Sequence, residues 1–253
     1  MKANEYWVYL LLVHIIGDFY FKNEKMTKKK EGSYGIVLLH SLLYLVTSFG
    51  LMLLLKSAHL VFVIGVMVLI HYIIDTVKFL ISRKKKVHDP GKAFTIDQFF
   101  HLVSILTIAY FMNKFQVKVY RLSWIDSVCG TFGLKAHDVV RYFLTFLIIN
   151  RPANCLIQNV LARYKVEERK KAEQDRLISP DVDIKAGRTI GTLERFILVL
   201  FMAVGQYGAL GLVLTAKSIA RYDKITKNEK FAEYYLLGTL LSTTVAVVAW
   251  LCL

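Results

Sequence analysis

The feature that most limits this chain is its alternation of long apolar runs with short basic blocks. Runs of about 17–25 apolar residues match the roughly 30 Å hydrocarbon core of a bilayer. Seven such candidates stand out: Tyr6–Phe21, Gly35–Leu55, His59–Ile81, Phe94–Met112, Val139–Leu161, Ile190–Ala216 and Phe231–Leu253. With 55% hydrophobic residues and a mean hydropathy of +0.45, the chain reads as an all-α polytopic membrane protein. The first run is short and follows Lys2, but no small-residue cleavage site comes after it, and His14 and Asp18 interrupt it. A retained helix is therefore expected rather than a signal peptide. The fifth run contains Arg141, Arg151 and Pro152, which predict a kinked or partly interfacial segment. Six or seven transmembrane helices follow.

The net charge of +14 does not point to nucleic acid, because the basic residues sit in loops beside the apolar runs. There they set topology and meet anionic lipid headgroups. Two early loops are strongly basic, "KNEKMTKKK" after the first run and "RKKK" after the third. The positive-inside rule places both in the cytoplasm and the N-terminus outside, as expected for an integral protein of a bacterial cytoplasmic membrane. Cys129, Cys155 and Cys252 have no paired spacing, so neither a disulfide framework nor a thiolate metal site is expected.

The domain reading is a four-helix transmembrane unit over 1–112, an extracytoplasmic loop over 113–138, and a C-terminal membrane region over 139–253 with a charged linker at 163–185. The linker stretch "RYKVEERKKAEQDR" should be a solvated helix or linker. Both loops flanking the run Ile190–Ala216 are basic, so a simple crossing would break the charge rule on one side. A re-entrant hairpin at Gly205–Gly211 is the alternative.

Polar residues inside the first four runs carry the chemistry. His14 and Asp18, His71 and Asp75, and Asp97 and His101 are each four residues apart, so both members leave the same face of a helix. His40 adds a fourth imidazole, with Tyr44 and Thr47 continuing its stripe. At 1.5 Å per residue from the nearest basic block, Asp18 and His14 lie about 6 and 12 Å deep, Asp97 and His101 about 7 and 13 Å, and Asp75 and His71 about 12 and 18 Å. His40 sits about 9 Å inside its helix. The seven residues occupy one layer in the cytoplasmic half of the bilayer.

Unpartnered carboxylates in lipid cost several kcal/mol each. A divalent cation offsets that cost, and four His with three Asp are enough for one or two ions of zinc, manganese or iron. The plainer reading is that each His hydrogen-bonds its neighbouring Asp and ties helices together. His59, His88 and His137 lie at run ends or in loops and are weaker ligand candidates. Lys78 and Lys22 extend the stripes of Asp75 and Asp18 toward the cytoplasm. Each is either a snorkelling side chain or a holder for an anionic substrate group.

The motifs "HIIGDFYF", "LLHSLLY", "HYIIDTVKF" and "FTIDQFFH" resemble, in order, those of the bacterial membrane family called domain of unknown function 3307. The resemblance covers roughly residues 5–110, and "GTLERFIL", "AKSIARY" and "EYYLLGTLLS" resemble the C-terminal region of its longer members. The family's motif residues fall on His14, Asp18, His40, His71, Asp75, Asp97 and His101. Where this chain has Lys22 the family pattern leads one to expect Gln. A more distant likeness, at the level of fold, is to membrane-embedded metal hydrolases.

Three functional readings follow. The first is a metal-dependent hydrolase acting on a lipid or lipid-linked phosphoester, an amphiphilic anionic substrate, with Asp97 as general base. The second is a divalent-cation transporter, against which stand the excess of ligands and the lack of an acidic or His-rich approach. The third is a structural membrane protein with a metal staple. A di-iron oxidase is disfavoured because no "HxxxH" or "HxxHH" cluster occurs. No feature of the sequence speaks to oligomeric state.

Overall fold

The computed structural model describes residues 6–21, 33–84, 90–172 and 180–253. Lys22 and the rest of the first basic loop, through Gly32, lie outside them, as does His88. Helix dominates, at 87%. Contacts divide the chain into two compact units, Met1–Leu144 and Thr145–Leu253. The segment 113–138 belongs to the first unit, and the division falls inside a helix.

In the first unit, α1 (Tyr6–Ile15) runs straight into a π-helical turn, Ile16–Tyr20. Helix α2 (Tyr34–Phe49) ends in a 3₁₀ turn, Gly50–Leu53. Helices α3 (Leu60–Lys84) and α4 (Pro90–Lys114) complete the set. α2 packs on α3, α3 on α4, and α1 on both α2 and α4, so the four helices close on one another. At one end a short antiparallel pair, β1 (Leu55–Lys56) with β2 (Tyr120–Arg121), ties the loop after α2 to the chain after α4. Tyr6 Oη donates to Val117 O at 3.1 Å and Arg121 to Tyr9 Oη at 3.4 Å, which fixes α1 to the same end. Helix α5 (Ser123–Thr131) follows.

The burial pattern is inverted relative to a protein in water. α1 is apolar and buried along its whole length, whereas α2, α3 and α4 expose Leu38, Leu42, Val46, Phe62, Leu69, Ile73, Phe99 and Tyr110. Their buried faces carry the His and Asp side chains. Residues 34–53, 60–83, 91–114 and 229–252 form helices long and apolar enough to cross a membrane, four among the described residues. The expected span Tyr6–Phe21 is a shorter apolar helix, about 22 Å long at 1.5 Å per residue.

In the second unit, α6 (Ala136–Ala172) continues through Pro152 and takes its backbone into the charged stretch. The expected span Ile190–Ala216 is divided. α7 (Pro180–Ala203) ends at a turn where Gly205 has φ +72°, a left-handed conformation suited to glycine, and α8 (Tyr207–Ala220) begins. Lys217 Nζ donates to Glu194 Oε2 at 2.6 Å, so α8 folds back along α7. The pair forms a helical hairpin whose turn lies at Gly205. A short helix α9 (Tyr222–Lys227) leads into α10 (Glu229–Cys252), N-capped by Asn228 accepting from Phe231 N.

Arg195, 1% exposed, knits this unit together. Proline at 152 withholds an N–H from the preceding turn of α6, and Arg195 Nε donates to the neighbouring Ile149 O at 2.6 Å. Its Nη groups donate to Asn154 Oδ1, Ser242 Oγ and Thr192 Oγ1 at 2.7, 3.0 and 3.2 Å. Arg195→Met strands these acceptors and should destabilise the unit by roughly 2–5 kcal/mol, visible as a lowered melting temperature of purified protein in detergent.

Gly17 lies in the π turn where a Cβ would sit 2.8 Å from Tyr44 Cδ2. Gly17→Ala should therefore cost about 1–3 kcal/mol in the same melting experiment. Gly65→Ala, where nothing lies within 4 Å, should be neutral or stabilising.

Candidate metal centre

All seven residues picked out by spacing are buried: His14, Asp18, His40, His71, Asp75, Asp97 and His101 are each at most 6% exposed. They come from all four helices of the first unit. His71, on α3, is the hub. Its ring stacks on Tyr44 at a centroid distance of 3.7 Å and on His101 at 4.4 Å. His40 lies 5.4 Å from it and His14 5.9 Å.

The carboxylates reach across helices as well as along them. Asp75 Oδ2 is 3.8 Å from His71 Nδ1 and Asp97 Oδ1 3.7 Å from His101 Nε2, the spacing expected within one helix. Asp75 also approaches His40 Nε2 at 3.5 Å. Asp18 Oδ1 accepts from His40 Nε2 at 2.9 Å, linking α1 to α2. The π turn accounts for this reach. A π turn opens the 3.6-residue register, so Asp18 is aimed across the gap to α2 as well as lying beside His14.

Gln98 is the participant that spacing missed. Its Nε2 donates to Asp18 Oδ2 at 2.7 Å and lies 3.4 Å from Asp97 Oδ2, while its Oε1 faces His14 Nε2 at 3.4 Å. Gln98 adjoins Asp97, and a one-residue step does not share a helix face. It joins the site because α4 packs against both α1 and α3. Lys78 Nζ donates to Asp97 Oδ2 at 2.7 Å, with the lysine side chain 36% exposed and the carboxylate 4%. The ammonium thus sits at the rim of the cluster, on a carboxylate. Lys22 lies outside the described residues.

The bonds that exist assign the ring nitrogens. His14 Nε2 donates to Gln98 and His40 Nε2 to Asp18, which leaves each Nδ1 with a lone pair. His14 Nδ1, His40 Nδ1, both nitrogens of His71, His101 Nε2 and Asp97 Oδ1 are buried with no hydrogen-bond partner among the described residues. A buried atom left in this state costs about 1–3 kcal/mol, which a cation held at the centre would relieve. The His–Asp contacts within α3 and α4, at 3.8 and 3.7 Å, are longer than hydrogen bonds.

Their arrangement matches what a cation needs. One ligand atom from each of His14, His71 and His101 lies within 4.8 Å of the others, and the same holds for Asp18, His40 and His71 and for Asp18, Asp97 and His101. Tetrahedral ligands about 2.0–2.1 Å from zinc stand roughly 3.4 Å apart, a separation inside that limit. Asp75 is in none of these groupings and acts on His40 and His71 from outside them. His59 and His137 join none either.

Fold and site define a helical chain compatible with integral membrane insertion, with a buried His/Asp cluster able to hold a metal ion. Residues 7–127 match the model of the family described as protein of unknown function (DUF3307), which establishes the resemblance read from the motifs over that stretch. The cluster, Gln98 and Lys78 all fall inside it. No curated protein and no solved structure matches the chain.

Elemental analysis of the purified protein should find divalent metal, lost on His71→Ala or Asp18→Ala and kept on His137→Ala. Metal at background in the parent would instead make the cluster a hydrogen-bonded tie between helices.

Proposed function

We propose that the first unit is an intramembrane metal-dependent hydrolase acting on a lipid or lipid-linked phosphoester at the cytoplasmic side of a bacterial inner membrane. The observation that carries this reading is the set of buried, unpartnered imidazole nitrogens facing one another with Asp97 Oδ1 beside them. His14, His71 and His101, with Asp18, would hold the ion, of zinc, manganese or iron type; Asp75 and Gln98 would orient them. An ion held there would lower the pKa of a bound water and polarise a phosphoryl oxygen.

The chain's own groups cover the remaining needs. Asp97 Oδ1 is placed to take a proton from water, while Oδ2 is held by Lys78 and faces Gln98. Lys78 has two further N–H donors and a partly exposed side chain at the rim, suited to an anionic headgroup. In hydrolysis the water oxygen bonds to phosphorus, the ester P–O bond breaks, and the proton taken by Asp97 returns to the leaving oxygen.

Access to the cluster favours an enzyme over a carrier. Along the helices away from Lys78, the interior is filled by Tyr9, Leu10, Leu51, Ile64, Ile105 and Ile108, all buried. A carrier needs a route to both sides, whereas a hydrolase needs access from one, and Lys78 with its partly exposed side chain marks that side. By the positive-inside rule, the basic blocks at 22–30 and 83–86 would put the Lys78 end in the cytoplasm and the N-terminus outside.

Reconstituted protein should hydrolyse members of a panel of lipid phosphates. His71→Ala should lose turnover and metal together. Lys78→Ala should keep metal and raise KM by about 10–100-fold, the worth of one charge-assisted hydrogen bond. Metal flux into sealed liposomes carrying a metal-sensitive dye, without hydrolysis, would assign the site to transport.

A further inference from the structure

We infer that Lys78 is the charge-setting residue of the centre: its ammonium stands where a second metal ion would bind, and it limits the cluster to one divalent cation. This rests on the metal reading above but not on hydrolysis.

The first argument is charge. Asp18, Asp75 and Asp97 carry three negative charges among the described residues of the cluster, and Lys78, 2.7 Å from Asp97 Oδ2, returns one. With the imidazoles neutral, as ligation requires, two negative charges remain. One divalent ion neutralises them. A second would leave two uncompensated positive charges in a low-dielectric interior, a state disfavoured by several kcal/mol per charge.

The second argument is geometric. Paired ions about 3.5–4 Å apart share a bridging ligand, most simply a carboxylate using both oxygens. Asp97 is the acid that Lys78 contacts, and its Oδ1 has no hydrogen-bond partner among the described residues while its Oδ2 accepts from Lys78 and is faced by Gln98 at 3.4 Å. Asp18 cannot take its place without loss, since Oδ1 accepts from His40 and Oδ2 from Gln98. The ligand groupings also overlap. His71, His101 and Asp18 each belong to two of them, which describes one contiguous site rather than two separate ones.

The third argument is tethering. An ammonium on a side chain anchored in α3 meets Asp97 at an effective concentration on the order of mM, far above that of a free trace metal. Lysine is suited to this place because its charge is compact and its stem reaches from the rim.

The test is metal stoichiometry. Full-length protein in lipid nanodiscs, stripped with chelator and titrated with Mn²⁺ or Zn²⁺, should bind one ion per chain by calorimetry and elemental analysis. Lys78→Met should bind close to two, and Lys78→Arg should stay at one. Lys78→Gln gives the same reading as Lys78→Met should the latter lose its monodisperse elution. Two ions in the parent, or neutral variants that still bind only one ion, overturn the inference. No ion in the parent overturns the metal reading beneath it. One ion with no hydrolysis of any lipid phosphate leaves the inference standing and removes only the enzyme.

Discussion

The interaction on which the first unit depends is the confinement of three carboxylates among helices whose outer faces are apolar. Asp18, Asp75 and Asp97 cannot turn to solvent, because the sides of α2, α3 and α4 that point away from the interior carry leucine, isoleucine, valine and phenylalanine. In a bilayer that outward surface is solvated by lipid, and the polar groups have only each other. Four imidazoles and one ammonium lower the cost without removing it. The remaining negative charge and the unpartnered ring nitrogens act together, both favouring a cation held at the centre.

The second unit meets the same solvent differently. Arg195 is as deeply buried as any residue of the first cluster, yet its donors end on named acceptors from α6, α7 and α10. One of those acceptors is a carbonyl beside the proline that interrupts α6. That network is closed and reads as architecture. The first cluster leaves good ligand atoms close to one another and without hydrogen-bond partners among the described residues. The contrast between the two units, more than the presence of polar residues in apolar helices, singles out the first as the one with a candidate metal centre.

Local backbone geometry serves the centre at one place in particular. The π turn at Ile16–Tyr20 carries Asp18 toward His40, and Gly17 within it lets the Tyr44 ring come close enough to stack on His71. A regular helix with a side chain at 17 would hold Asp18 nearer His14 and push Tyr44 off the imidazole. The short pairing of Leu55–Lys56 with Tyr120–Arg121 ties the chain together at the end of the helices opposite Lys78.

The sequence by itself determined the class and the cast. Apolar run length, set by bilayer thickness, predicted the helices, and the four-residue step predicted which His and Asp share a face, because both are properties of single helices. The break at Gly205 was legible for the same reason, from glycines between two basic flanks. Tertiary structure decided which partner each group meets. Asp18 joins His40 and Gln98, Lys78 takes Asp97, and Gln98 enters the site although it is one residue off the expected face. These pairings depend on how far apart and at what rotation neighbouring helices pack, and on a π turn that changes register locally. Neither quantity is encoded in the periodicity of any one helix, since both arise only when side chains on four helices interlock.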